Sequence, residues 1–573
     1  MIVTNEARCR DCYRCLRACP VKAIRISASE ETGALYARVI DELCVKDARC
    51  VLICPQKAKK VTSSLAEVRH SIKNGNFMVA SVAPSFVVGL PLADPGHMPA
   101  LLRRLGFKKV QETSLGAALV ARQHGRMGFD KALISSACPV VVNLVERHYP
   151  EALPYLAPIV SPMIAHGRYL KESYPGCKTV FIGPCAAKKD EALVNGISDA
   201  IDYVLGFDEL WEWVQEENID CSGLAADEFD GPKPGLARLF PIDGGMLKTV
   251  GVSKQADERF TTVSGLQNCI DFIKHLASGG IILPGLVELL ACPGGCINGP
   301  QMMGRDEGLF NRRRKVIEYQ KSQCRSEGDD VATITDINEK LLQRSFVNRQ
   351  VVFPVPSEAE IKEILERSGK FKPEDELNCG ACGFDTCRDK AIAVYQGNAE
   401  LEMCIPYMRK RAESMSNRVL GAMPNAVVIL DNELVIQETN PAASNLFNCS
   451  IREIVGQKLE QFIKVDSFRE VLKTGKMINQ TNNYDQLGKI VREIIFQLEK
   501  ERSIVGILVD ITEEKRRHEQ YELVKGQTIS RAQEVIAKQM TVAQEIAGLL
   551  GETTAETKVL LTKLIKLMQE DPF

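Results

Sequence analysis

The chain has 573 residues, more than one hydrophobic core fills, so several domains are expected. Lys plus Arg total 72 and Asp plus Glu total 74, a balance that gives no support to nucleic-acid binding, and no apolar run is long enough to span a membrane. Cysteine is the outlier: there are 20, most of them in CxxC-type runs that begin within MIVTNEARCRDCYRC and leave no room for a signal peptide. A disulfide framework is therefore disfavoured, metal ligation is favoured, and a cytoplasmic, reducing and anaerobic setting is expected.

Residues 1–75 read as a short, cysteine-rich, loop-dominated module. Cys9-x2-Cys12-x2-Cys15-x3-Cys19-Pro is the run of bacterial two-cluster ferredoxins, in which the fourth cysteine ligates the other cluster. The second run substitutes one ligand: Cys44-x2-Asp47-x2-Cys50-x3-Cys54-Pro. Cys9, Cys12, Cys15 and Cys54 are expected to hold one cubane. Cys19, Cys44 and Cys50 hold three corners of a second, with Asp47 at the remaining corner. A carboxylate is a harder donor than a thiolate, so this corner binds iron more weakly, and both an Asp-ligated cubane and a three-iron form stay open. Zinc is the alternative for paired CxxC motifs, disfavoured here by the duplicated run with proline after each last cysteine.

From 76 to 350 short β-branched runs alternate with helical patterns, which predicts an α/β domain. SVAPSFVVG, KALISSACP and KTVFIGPCA each read as a buried strand ending at a functional loop, and stretches 98–107 and 140–148 have helical apolar spacing. Three loops supply four cysteines: Cys138 in SSACP, Cys185 in GPCAAKKDE, and Cys292 with Cys296 in ELLACPGGCINGP. That is how a chain surrounds a compact metal cluster. Gly294 and Gly295 are expected to leave space beside Cys296 for a bulky ligand. Lys188 places a cation near anionic thiolates, where it can donate hydrogen bonds to an anionic ligand. The charged stretch containing NRRRK and QKSQCRSEGDD reads as an exposed connection or helical face.

Residues 351–415 hold a second cysteine module, Cys379-x2-Cys382-x4-Cys387-x16-Cys404-Pro, a complete four-thiolate set with structural zinc as its alternative. Residues 416–513 show an α+β pattern of short strands, with Asp431-Asn432 at a turn and Asn440-Pro441 opening a helix. Residues 514–573 are helical and broken near Gly551. Their apolar positions Ile529, Ala532, Ile536, Ala543, Ile546 and Leu550 form a coiled-coil-like seam, or a face packed on the preceding domain. Cys449 reads as a buried small residue and His518 as solvated.

The central motifs resemble the catalytic domain of [FeFe]-hydrogenases, whose three signatures are TSCCP, PCxxKxxE and ExMxCxxGCxxG. This chain has SSACP at 135–139, PCAAKKDE at 184–191 and ELLACPGGCING at 288–299. The resemblance implies an H-cluster: a cubane on Cys138, Cys185, Cys292 and Cys296, with Cys296 bridging to a diiron subsite that carries CO, CN and azadithiolate. It implies that Lys188 hydrogen-bonds one cyanide, that Ala83, Pro84 and Ser85 surround another, and that Glu191 is structural support. Departures accompany the matches. Ala137 stands where catalytic members keep a proton-relay cysteine, and GAALVARQHGR (116–126) lacks the carboxylate of the relay path. Leu290 and Gly183 replace methionines. Residues 351–415 are similar to small single-cluster 4Fe-4S modules, and 416–513 resemble a PAS domain.

The expected fold is multidomain, α/β and α+β: a two-cluster ferredoxin-like domain, an H-cluster domain, a small 4Fe-4S module, a PAS domain and a helical tail. That order resembles sensory-type (group D, HydS-like) [FeFe]-hydrogenases. What the resemblance implies is an oxidoreductase of low turnover that binds and slowly splits or forms H2, with H2 and protons as substrates and two ferredoxin-type clusters plus one further 4Fe-4S cluster as relays. It also implies a redox partner such as ferredoxin, an unidentified downstream signalling protein and a homodimer. The rivals are a fast ferredoxin-linked metabolic hydrogenase and a non-hydrogenase protein carrying only cubanes.

Overall fold

The computed structural model describes the chain outside residues 29–32, 34, 253–257, 281–283, 324–338, 499–502, 548–553 and 570–573. Cys324–Asp330 of the charged connection, Leu550 of the apolar seam and the break at Gly551 therefore lie outside the described residues. Two compact units emerge, Met1–Tyr407 and Met408–Phe573. The three cysteine-bearing segments thus share one unit.

The amino-terminal segment is built as a repeat. Strand Ile2–Thr4 pairs antiparallel with Lys59–Val61, and Ile24–Ala28 with Leu35–Val39. Two short helices, Arg14–Ala18 and Arg49–Leu52, each follow a residue in left-handed conformation, Tyr13 and Ala48. Left-handed residues recur at equivalent offsets from the cysteines: Asp11 with Lys46, Tyr13 with Ala48, and Lys22 with Lys57. Such backbone is disfavoured for side-chain-bearing residues and persists only where the surroundings demand it. Here it folds amide N–H groups back onto sulfur. Ala23 N donates to Cys19 Sγ at 3.3 Å and Ala58 N to Cys54 Sγ at 3.3 Å, four residues on in each half. The segment carries more regular structure than its loop-like composition suggests, because glycine-poor turns are held by these contacts. Helix Leu65–Lys73 extends from this module, yet it packs its buried Val68 into the central core. An apolar helix face is buried by whichever sheet lies nearest, whatever the cysteine content of its neighbours.

The central segment holds two parallel sheets. One runs in the order Lys109–Glu112, Met78–Val82, Lys178–Gly183, Tyr203–Gly206; the other runs Phe260–Ser264, Gly285–Leu290, Ala132–Ile134. Parallel strands are covered on both faces, which is why MVASV and GLVELL are buried at every position. Helix Ser114–Met127 packs tightly on Pro162–Ser173: a Cβ on Gly116 would stand 2.2 Å from Pro162 O. This close approach explains the Gly-Ala-Ala run at 116–118.

Helices Glu358–Arg367 and Cys387–Tyr395 flank the loop of Cys379 and Cys382, the second beginning with Cys387, and each is opened by a capping box, Ser357 with Glu360 and Thr386 with Asp389. The carboxyl-terminal unit is a five-stranded antiparallel sheet ordered Ile436–Thr439, Ala426–Leu430, Ser503–Asp510, Lys489–Leu498, Ile478–Tyr484. Helices Pro441–Phe447 and Asp466–Thr474 cover a core that includes Phe447, Phe468 and Ile495. Asn440 locks its opening: Oδ1 accepts from Val427 N and Ala443 N, while Nδ2 donates to Asn425 O at 2.9 Å. Thr512 Oγ1 accepts from Ile490 N and donates to Asp510, tying the start of helix Thr512–Ala547 to the sheet. A second helix, Thr554–Gln569, lies against it. Cys449 is half-buried and His518 exposed. Among the described residues no helix is long and apolar enough to cross a membrane.

Candidate functional site

Four parallel strands end at one cavity of about 110 Å³. Met78–Val82 delivers Ala83, Pro84 and Ser85; Ala132–Ile134 delivers Ala137 and Cys138; Lys178–Gly183 delivers Cys185 and Lys188; Gly285–Leu290 delivers Cys292 and Cys296. The crevice beyond the carboxyl ends of parallel strands is the usual binding place in such sheets, because the loops there are free to carry chemistry on a rigid base. All nine of these residues, singled out from sequence, line the same cavity. Cys138 is the N-cap of helix Pro139–His148. Its loop is anchored by Ser136 Oγ, which donates to Ile159 O at 2.6 Å.

The thiols feel one another. Burial, and then the neighbouring Cys138, raise Cys185 to about 11. Burial and the surrounding thiols push Cys292 and Cys296 well above the ordinary thiol range, with Lys188 opposing the rise at Cys296. A cationic cluster that binds the thiolates displaces those protons and removes the repulsion. Among the described residues no three His, Cys, Asp or Glu donors converge tightly enough for a single metal ion. The thiols stand around a volume instead, the arrangement a multi-iron cluster needs.

Lys188 is part of a buried ionic group. Its Nζ donates to Glu191 Oε2 at 2.7 Å and to Ala137 O at 3.5 Å; Glu191 also accepts from Ser161 Oγ and Arg344 Nη1, both at 3.0 Å. Ser85 Oγ is buried with no hydrogen-bond partner among the described residues, a donor beside whatever the cavity holds. The walls between are apolar, with Met163, Phe181, Phe240 and Leu290. The donor set, the orphaned hydroxyl and the dry walls fit an anionic cluster with small diatomic ligands.

One local reading changes, and two departures gain a physical account. Gly294 and Gly295 do not open space for a ligand. Both have positive φ, and a Cβ would meet the Leu309 side chain at 2.6 Å and Pro241 O at 2.4 Å, so protein packing demands the glycines. Gly183 is small because the Phe181 ring would lie 2.6 Å from its Cβ. Helix Ser114–Met127 offers no replacement acid either. His124 is buried, bonded through Nδ1 to Val120 O, and burial lowers it to about 4.

Glu288 is the cavity residue that sequence reasoning quoted without assigning a role. It is held by Gly244 N, Met246 N and Thr262 Oγ1, and burial still raises it to about 7. It can donate a proton below that value and accept one above it, which suits a group exchanging protons with a buried site. Its sequence signal was its place as the first residue of the third signature, four residues before Cys292. Glu288→Gln is expected to remove a titration near pH 7, because an amide neither gains nor loses a proton there. A pH series of infrared difference spectra in the carboxyl region checks this.

Several of the amino-terminal cysteines lie near one another. Asp47 lies within electrostatic reach of Cys19, Cys44 and Cys50. Cys15 feels Cys9 and Cys12 in the same way. Asp47 Oδ2 is buried without a hydrogen-bond partner, 3.6 Å from Arg49 Nε, and burial raises its carboxyl above the usual range. A second cavity of about 80 Å³ is lined by Asp47, Arg49, Cys185, Cys292 and Arg305, which sets the Asp47 corner beside the central thiols. Cys379, Cys382, Cys387 and Cys404 line a third cavity with Lys370 and Lys390, two residues that motif reading passed over.

Comparison with known proteins agrees with this geometry. Residues 76–300 match the family described as iron only hydrogenase large subunit, C-terminal domain; 8–58 match a 4Fe-4S dicluster domain, and 375–406 an Fe-S cluster family. The NADP-reducing hydrogenase subunit HndD of Solidesulfovibrio fructosivorans is 26% identical over 396 residues, 55% of this chain and 67% of that protein. A probable cytosolic Fe-S cluster assembly factor, oxy-4 of Caenorhabditis elegans, is 25% identical over 361 residues, 51% of this chain and 77% of that protein. A solved HydA1 variant from Chlamydomonas reinhardtii shares 21% identity at a TM-score of 0.42 over 51% of this chain and 100% of that one. The PAS domain of nitrogen regulation protein NR(II) from Vibrio parahaemolyticus shares 26% identity at a TM-score of 0.16, over 17% of this chain and 98% of that one. The chain is a hydrogenase-like iron–sulfur protein, with an iron-only hydrogenase large-subunit domain at its centre and 4Fe-4S domains around it.

Proposed function

We propose that the chain is a sensory [FeFe]-hydrogenase, which binds and slowly splits or forms H2 and passes the resulting redox state through iron–sulfur clusters to a PAS-like domain. The observation that carries this reading is the methyl group of Ala137 in a cavity wall that otherwise keeps the four thiols, Lys188 and Ser85. An H-cluster, when bound, supplies reversible heterolytic cleavage of hydrogen and stores the electrons. Cys138, Cys185, Cys292 and Cys296 would hold it. The ammonium of Lys188, positioned by Glu191, and the hydroxyl of Ser85 would orient cyanide ligands, with Ala83 and Pro84 closing the wall. Ala137 has no proton to give.

Asp47, which shares a cavity with Cys185 and Cys292, would place the cluster it helps to hold beside the central site. The antiparallel sheet with its first strand flanked by the second and the fifth supports the PAS-like reading of 416–513. Exposed Tyr521, Val524, Val535 and Val542 on helix Thr512–Ala547 support a homodimer or a separate signalling partner.

A second reading, a non-catalytic iron–sulfur protein, is favoured by the near-equal identity to the assembly factor, 25% against 26% for the hydrogenase subunit. Infrared spectroscopy separates the two. After exposure to the diiron maturation machinery, bands of metal-bound CO and CN are expected. Their absence from a chain carrying its full complement of cubanes would establish the second reading.

A further inference from the structure

The third cysteine group buries two ammonium groups beside its thiols. Lys370 Nζ lies 3.5 Å from Cys404 Sγ and 2.9 Å from Ser368 Oγ; Lys390 Nζ donates to Leu401 O at 2.9 Å. The two residues are 9% and 4% exposed. No Asp or Glu lines their cavity, and neither lysine forms an ion pair with a carboxylate among the described residues. Burying a charge without a counter-charge is strongly unfavourable. The anion these lysines require is therefore the bound group itself, and a cubane on four thiolates is negative, more so once reduced.

The other two ferredoxin-type sites differ. Near the Asp47 site, Lys46 is already neutralised, bonded to Asp41 at 2.5 Å and within 3.8 Å of Asp190, and Asp47 adds a carboxylate. Lys59 donates to Thr4 Oγ1 and Ala37 O and acts on both Cys15 and Cys50, so its charge is divided between two sites. Unneutralised buried cations favour the reduced, more negative state of a cluster.

We infer that Lys370 and Lys390 give the third cluster the highest reduction potential of the three ferredoxin-type clusters, making it the place where electrons from the central site collect. The packing supports transfer into it. Arg17 donates through Nη1 to Ala381 O and through Nη2 to Cys12 O, both at 3.0 Å, so one guanidinium ties the Cys379–Cys382 loop to the Cys12 loop. Gly383, at φ +95°, lets that loop sit against Leu16 and Arg17, where a Cβ would meet Leu16 Cγ at 3.1 Å. Cys404 immediately precedes helix Ile405–Ala422, so the collected charge sits at the amino end of the helix that continues into the second unit.

This inference rests on the reading of these sites as clusters. Its test does not depend on hydrogen chemistry: potentiometric titration of the full-length, cluster-loaded chain with chemical mediators, followed by EPR. The third cluster's signal is identified by its loss in Cys379→Ala. In the unsubstituted chain that signal is expected to be reduced first among the three. At its midpoint potential, Lys370→Met and Lys390→Met should each leave the cluster at least tenfold more oxidised than reduced, a downward shift of about 59 mV for one electron, with the other clusters unmoved. Lys370→Arg and Lys390→Arg, which keep the charge, should stay near the original midpoint. Loss of the cluster in the Met variants but not in the Arg variants, by iron content and spin count, also supports the counter-charge role. An intact cluster with an unshifted midpoint in the Met variants overturns the inference. So do Arg variants that shift as far as Met, loss of the cluster in both sets, or a third cluster that is not the first to be reduced. Missing CO and CN bands would end the hydrogenase reading and leave this titration standing.

Discussion

Ala137→Cys is expected to raise the rate of hydrogen evolution about 10²-fold, the lower end of what a positioned acid–base group contributes. Ala137 lines the cavity between Ser135 and Cys138, its N–H donating to Ser135 Oγ at 3.3 Å and its carbonyl accepting from Lys188. The backbone is thus fixed, and an added thiol enters the cavity without displacing either bond. The gain stays at the low end because helix Ser114–Met127 supplies no carboxylate to a relay, and its buried His124 is held neutral at ordinary pH. Parallel rate measurements on matured protein check this. Equal and fast turnover in both forms would place the unsubstituted chain among metabolic hydrogenases and remove the main ground for a sensory role.

Glu191→Ala should destabilise the first unit by about 3–5 kcal/mol, the cost of leaving buried charges uncompensated. Glu191 is 2% exposed and holds two cations, Lys188 and Arg344, together with the Ser161 hydroxyl. Removing its carboxylate strands both cations in a region too enclosed for water to replace it. Glu191→Gln keeps the shape and one acceptor oxygen and should cost less. Urea denaturation of the full chain, followed by near-UV circular dichroism, measures the difference through the midpoint of the first transition. A midpoint unchanged in Glu191→Ala would show that Lys188 and Arg344 find other partners. The same substitution frees Lys188 from its anchor, so altered CN stretching bands are expected wherever the matured protein survives.

Much of the site was legible because cluster ligation is written in residue type and spacing. Cysteines at two- and three-residue intervals, followed by proline, admit few other readings, and the repeat in 9–19 and 44–54 reappears as matched left-handed residues and matched N–H to sulfur bonds. The loops carrying Ala83 to Ser85, Cys138 and Cys185 could be read as strand ends because buried parallel strands are apolar up to the point where the chain turns, whereas strand Gly285–Leu290 before Cys292 emerged only in the structure. Less visible were residues whose meaning depends on what lies across the fold. Lys370 and Lys390 look like ordinary charged residues in sequence, and the signature position of Glu288 says nothing of its burial. Burial alone turns Glu288 into a group near pH 7 and leaves the two lysines without a carboxylate partner.

Gly294 and Gly295 show the opposite error. Beside a ligand cysteine they invite a ligand-space reading, yet their Cβ positions are blocked by Leu309 and by Pro241 O, residues that only folding brings near. Helix Leu65–Lys73 belongs by sequence to the cysteine module and by packing to the central core. Local chemistry, including ligand identity, the Ala137 departure and the order of the segments, was determined by the sequence itself, because it depends on covalent neighbours and short spacings. The convergence of four strand ends on one cavity, the charge balance around each cluster and the roles of single glycines were decided by tertiary structure. Electrostatics and sterics act through space, between residues that the chain keeps dozens to hundreds of positions apart.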